Sequence, residues 1–108
     1  MPDPITQDEL FHYAGLWPHI TGLPMKIWAP DDGAPDGHLR VQTTRTAASE
    51  PNETALVPIS EEPELIEGTL STSDLTAVRA FVIRNLAALR AHRNGECDSA
   101  ELAERLRR

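Results

Sequence analysis

A single cysteine, Cys97, stands in a chain of 108 residues, so no intrachain disulfide can form and nothing points to an oxidising compartment. No apolar run approaches the roughly 18 residues of a membrane helix. The acidic start, MPDPITQDEL, has neither the basic patch nor the apolar stretch of a secretion signal. A cytoplasmic protein without membrane contact is expected. There is no internal repeat, and no set of residues forms a catalytic signature. Cations are scarce over residues 1–74, which hold 13 acids against Lys26, Arg40 and Arg45, whereas residues 75–108 hold 7 arginines against 4 acids. The net charge of −7 therefore conceals an acidic pole and a basic one, and long-range repulsion of phosphate backbones disfavours generic nucleic-acid binding.

What is present suits one domain with one core. The hydrophobic share of 40% and charged share of 25% are ordinary for a globular chain, and the nine prolines, all before Glu64, make the first half rich in loops. The strongest signal is helical. Leu75, Val78, Val82, Leu86 and Leu89 recur at steps of three and four, which at about 100° per residue places them on one stripe that must be buried. Phe81 and Ala88 widen the stripe on one flank and Ile83 on the other, while Thr76, Ala80, Arg84 and Ala91 face away. Ser71 and Asp74 have capping-box spacing, so the helix starts near Thr72. Arg90, His92 and Arg93 meet the negative end of its dipole, and Asn94-Gly95 supplies the left-handed exit.

Before this helix the pattern changes to a period of two. Met25, Ile27 and Ala29 alternate with Lys26 and Trp28, and Leu39, Val41 and Thr43 alternate with Arg40 and Gln42. The Asp-Gly and proline residues between them, 31–37, predict a hairpin. Residues 55–59 predict a third strand at a sheet edge, because Pro58 has no amide hydrogen, and residues 64–67 predict a short fourth. Residues 45–54 lack periodicity and predict a mobile loop. Thr6 and Glu9 predict a first helix that covers the core with Leu10, Phe11, Tyr13 and Ala14 and closes at Gly15; Trp17, Ile20 and Leu23 then read as an irregular packed connection. Asp98 and Glu101 cap a last short helix carrying Leu102, Ala103 and Leu106.

The expected fold class is α+β: a small three- to four-stranded, mainly antiparallel sheet with one long helix packed on it and short terminal helices. A single domain spans 1–108. Its N-terminal helix and connection occupy 1–22, its strands 23–67, the main helix 71–94 and the C-terminal helix 98–108.

Three stretches carry a resemblance: Leu23-Pro24-Met25-Lys26-Ile27-Trp28, Gly37-His38-Leu39-Arg40-Val41 after a turn rich in Asp, Gly and Pro, and Leu65-Ile66-Glu67-Gly68-Thr69-Leu70-Ser71 entering a helix. Over roughly residues 22 to 95 the chain resembles a family of small bacterial proteins catalogued as domain of unknown function 4160. The resemblance implies a small antiparallel sheet followed by a helix, and a gene set beside that of another small protein, as in a toxin-antitoxin-like pair. It implies no activity. Two histidines usual before the family's second strand reduce here to His38, and the acid-rich insertion between Thr44 and Ala55 departs from its compact members.

Several clusters bear on chemistry. Asp31, Asp32, Asp36 and His38 offer oxygen and imidazole ligands, but their spacing fits neither a calcium loop nor a zinc finger, so a solvated turn and no metal are expected. His12, His19 and His38 offer imidazoles as bases with no partner nucleophile in view. Cys97 lies where a helix start lowers a thiol pKa, yet no motif sets a histidine beside it, and it reads as incidental. Asn85, beside the apolar stripe, is placed to bond a neighbouring loop or strand carbonyl. Asn52-Glu53-Thr54 matches a glycosylation acceptor with no secretion signal to make it matter.

On one unbroken helix, Arg79, Arg90 and Arg93 project within about 60° of one another with Ile83 at their edge. They form a candidate ridge for an anion or a protein partner or, alternatively, arginine stems covering the sheet rim with their heads in water or against the glutamates of residues 50–67. The expected function is a protein-interaction module with a small partner encoded nearby, without cofactor and more a binder than an enzyme. The alternatives are a small metal-independent nuclease or hydrolase using His38, and an acidic regulator that mimics nucleic acid.

Overall fold

The computed structural model describes residues 12–34, 37–43 and 54–107. Its elements run β1 (Tyr13–Leu16), α1 (Pro18–Thr21), β2 (Ile27–Pro30), β3 (Leu39–Gln42), β4 (Thr54–Val57), α2 (Thr72–Arg84), α3 (Leu86–Arg93) and α4 (Ser99–Arg105). The fold is α+β, and the four strands form an antiparallel sheet in the order β1-β2-β3-β4.

Register explains how the sheet sorts its side chains. Leu16 pairs with Ile27, Ile27 with Val41, and Val41 with Ala55, an apolar row crossing all four strands on the face toward the core. One residue away, Gly15, Trp28, Arg40 and Leu56 form the opposite row, and here too Trp28, Arg40 and Leu56 are buried. The expected alternation of Met25, Ile27 and Ala29 with Lys26 and Trp28 therefore holds, but Trp28 and Arg40 are not solvated. Arg40 lies with its guanidinium carbon 5.3 Å from the centre of the Tyr13 ring.

The expected helix before Gly15 is overturned over its described part. Residues 1–11 lie outside the described residues, and Tyr13–Leu16 form an edge strand. Ladder bonds to β2 satisfy its amides, and one more bond, Asp31 N to His12 O at 2.8 Å, extends the pairing. Ala14 and Leu16 point inward at the period of a strand. This strand is the sheet's fourth member. Residues 64–67 contribute only a bridge, in which Leu56 N donates to Glu67 O and Leu56 O accepts from Ile66 N, both at 2.9 Å. Between β1 and β2, Pro18 opens one helical turn and Gly22, at φ 79°, closes it. β4 is the last strand in the sheet order, the edge position expected for it, but it ends at Val57 instead of running to residue 59, so Pro58 lies just past it. The expected mobile loop at 45–54 lies, except for Thr54, outside the described residues, as does Asp36.

The main helix starts where expected, with Ser71 Oγ accepting from Asp74 N at 3.2 Å. It does not run unbroken to residue 94. Asn85, at φ −115° and ψ 21°, separates α2 from α3. Its Nδ2 donates to Phe81 O, so the side chain competes for a carbonyl of the helix itself. α3 ends in a Schellman motif: Glu96 N reaches Ala91 O at 2.8 Å and Gly95 N reaches His92 O at 3.1 Å, with Gly95 at φ 77°. α4 opens on a complete Asp98–Glu101 capping box.

Val78, Phe81, Val82 and Leu89 are fully buried against the sheet, while Arg84 and Ile83 are exposed. Val82→Asp should therefore place an unpartnered carboxylate in the core and cost about 4 kcal/mol or more, against a total stability of about 5–15 kcal/mol. Arg84→Asp should stay within about 1 kcal/mol. Denaturant unfolding of the two variants checks this; equal stability would mean that the helix phase is wrong.

Candidate functional site

The arginine ridge is divided by the helix break. Arg79 and Ile83 lie on α2, both exposed, with Ile83 53% accessible. Arg90 and Arg93 lie on α3 and are half-buried. Arg93 is committed to the sheet rim: its Nη1 donates to Ile59 O at 3.4 Å, and a methyl on Gly37 would stand 3.4 Å from its Cδ. Arg93 thus serves as cover. On α2, Thr76, Arg79, Ala80, Ile83 and Arg84 form an exposed band that Ala87 continues past the break. It is a narrow apolar strip with a guanidinium on either side.

Asn85 is the residue on which this region turns. It is 3% exposed, and every polar atom of its amide is used. Nδ2 donates to Arg107 O at 2.8 Å as well as to Phe81 O at 3.0 Å, and Oδ1 accepts from Arg107 N at 2.6 Å. Arg84 Nε gives Arg107 O a second donor at 3.2 Å. The segment after α4 is thereby held against the helix break. Between them lies an open cavity of about 390 Å³ lined by Arg84, Asn85, Ala87, Ala88, Arg105 and Arg107. Sequence reasoning foresaw a carbonyl partner for Asn85, but the identity of that partner depends on where α4 returns.

The histidines do not converge. His12 Nδ1 lies 3.1 Å from Asp31 Oδ1, which also accepts from Gly33 N at 2.8 Å, so the pair latches the start of β1 to the β2–β3 turn. A methyl on Gly33 would collide with the His12 ring. His19 is exposed on α1 and His38 is half-buried ahead of β3. Asp32 turns toward the far side, where a methyl on Gly95 would meet its carboxylate. Among the described residues, no three His, Cys, Asp or Glu side chains gather in a group able to hold a metal ion.

His92 lies in the last turn, as expected, but it is buried, only 3% exposed. Its Nδ1 lies 2.7 Å from Pro30 O, which can only accept, so Nδ1 carries a hydrogen; Nε2 faces Ser99 Oγ at 3.5 Å. The imidazole ties the end of β2 to α3 and the start of α4.

Lys26, a polar residue in the alternating pattern of its strand, has a further role. The register that sets Leu16 opposite Ile27 brings Trp17 across from Lys26, whose Nζ lies 4.0 Å from the Trp17 ring centre and 5.0 Å from that of Trp28. Gly15 leaves room for the stem, since a methyl there would stand 3.2 Å from Lys26 Cε. Burial lowers the pKa of the amine, while the two indole faces favour its charged form.

Cys97 is buried, and burial raises its thiol pKa, outweighing the nearby Arg105 guanidinium. This is the reverse of an activated thiol. No family model matches the chain, and no match is found among curated proteins or solved structures.

A raised pKa in the folded state means that the folded chain holds the thiol proton more firmly. Its contribution to stability is complete below the ordinary thiol range and falls as the pH climbs through the raised value. At neutral pH, iodoacetamide should label native Cys97 at least about tenfold more slowly than the urea-unfolded chain. Equal rates would show an accessible thiolate.

Proposed function

We propose that this chain is a protein-interaction module that engages an acidic partner through the exposed face of α2. One observation carries the reading: Ile83, more than half exposed at mid-helix, sits between the exposed Arg79 and Arg84 with Ala80 and Ala87 beside it. An apolar centre bounded by guanidiniums is the composition that protein interfaces favour, because arginine combines a planar charged head with a stem that tolerates desolvation. Charge selects the class of partner. The arginine-rich third lies in a chain of net −7, so a segment presenting carboxylates around one apolar side chain complements this face, while a long phosphate backbone meets the repulsion of the whole. The resemblance to the small bacterial family of domain of unknown function 4160 supports a partner encoded beside this chain, one half of a toxin-antitoxin-like pair in the cytoplasm. Of the four ridge residues, Arg79 and Ile83 stay in the contact, joined by Arg84; Arg93 serves the sheet rim, and Arg90 is half-buried beyond the helix break.

Arg79→Glu with Ile83→Ser should abolish co-purification of an acidic protein held by the wild-type chain, weakening it at least about tenfold, with the melting temperature changed by no more than about 3 °C. Retention of the same protein by the double variant would overturn the reading, as would salt-resistant RNA binding by the wild type.

A further inference from the structure

We propose that the cavity at the α2–α3 break binds the phosphate group of a small ligand. Three of its six lining residues are arginines, Arg84, Arg105 and Arg107. Arg84 and Arg105 stand in the last turns of α2 and α4, where a cation also meets the carbonyl end of a helix. Arg107 lies beyond α4 and has no such duty, and its guanidinium makes no hydrogen bond or ion pair with any described residue. Its backbone, by contrast, is fixed on both sides by the Asn85 amide. The result, among the described residues, is a cation mounted on an anchored base, which limits the ordering cost of binding.

Charge and size select the ligand. Among the described residues, Glu101 is the carboxylate that pairs with these arginines, with Oε2 3.6 Å from Arg105 Nη2, so it offsets one of the three positive charges. The surplus of about two matches a phosphate monoester, which carries about −1.5 to −2 at neutral pH and three acceptor oxygens, better than a single carboxylate. Arg84 spends Nε on Arg107 O and keeps its two terminal nitrogens for the ligand. A volume of about 390 Å³ exceeds a bare phosphate and leaves room for an organic group over Ala87 and Ala88. The site shares Arg84 and Ala87 with the proposed protein contact, but its test rests on Arg105 and Arg107, so the two stand or fall separately.

Titration of the full chain with phenyl phosphate and with inorganic phosphate, followed by the NMR signals of the arginine Nε–H and asparagine Nδ2–H groups, tests the site. Saturable shifts at Arg84, Arg105, Arg107 and Asn85 are expected below about 10 mM ligand, weakened at least about fivefold in Arg107→Ala and further in Arg105→Ala with Arg107→Ala. Tighter phenyl phosphate assigns the site to esters; equal or tighter inorganic phosphate assigns it to the free ion. Shifts that do not saturate, or that persist unchanged in the double variant while its spectrum shows an intact fold, would overturn the proposal.

Discussion

The amide of Asn85 exchanges two hydrogen bonds with the backbone of Arg107 across 22 residues of sequence, and the arrangement of the whole C-terminal half follows from them. A buried amide must have its bonds or cost about 1–3 kcal/mol for each group left unmade. One of Asn85's bonds is to Phe81 O, within its own helix, and the others reach a segment that would otherwise trail past α4. The helix therefore ends where the amide takes over, a second helix begins, and the returning tail closes one side of the cavity. Arg84 adds its own donor to the same carbonyl. A single side chain thus sets both the division of the helical pattern and the position of the arginines around it.

Much of this was legible in the chain. Of the five-residue stripe, Val78, Val82 and Leu89 are buried and Leu75 and Leu86 partly so; Ile83, expected on its flank, is exposed, and Ala91, expected to face away, packs against the core, while Arg84 faces out and the Ser71 and Asp98 caps open their helices where the spacing predicted. The alternation of Ile27 and Ala29, and of Leu39 and Val41, gives strands of the right phase joined at an Asp-rich turn. These features are local, governed by the geometry of a helix or strand over a few residues, and therefore visible in a one-dimensional pattern.

What escaped notice is non-local or ambiguous. The break at Asn85 leaves no mark on the apolar period, because Leu86 and Leu89 keep their spacing through it; only the return of Arg107 explains it. Tyr13–Leu16 is too short to show a period, and a capping-like pair upstream together with Gly15 mimics a helix, whereas pairing with β2 decides the matter. The Trp17–Lys26–Trp28 stack requires that same register. His92 looked like a last-turn cation and proved to be a buried tie to Pro30, since nothing in the α3 sequence reveals that β2 ends beneath it. For the ridge, charge and spacing found Arg79 and Ile83 on the surface, but Arg93 was absorbed by the sheet rim, which a helix projection cannot see.

Amide hydrogen exchange at Arg107 tests the role of Asn85 most directly. An N–H two residues beyond the last helix would exchange at nearly the rate of an unstructured chain unless the bond to Asn85 Oδ1 holds it. We expect protection of at least about tenfold in the wild-type chain, lost in Asn85→Ala while the core amides of α2 remain protected. An Arg107 amide that exchanges freely in the wild-type chain would contradict the clamp, and with it the origin of the helix break and of the cavity beside it.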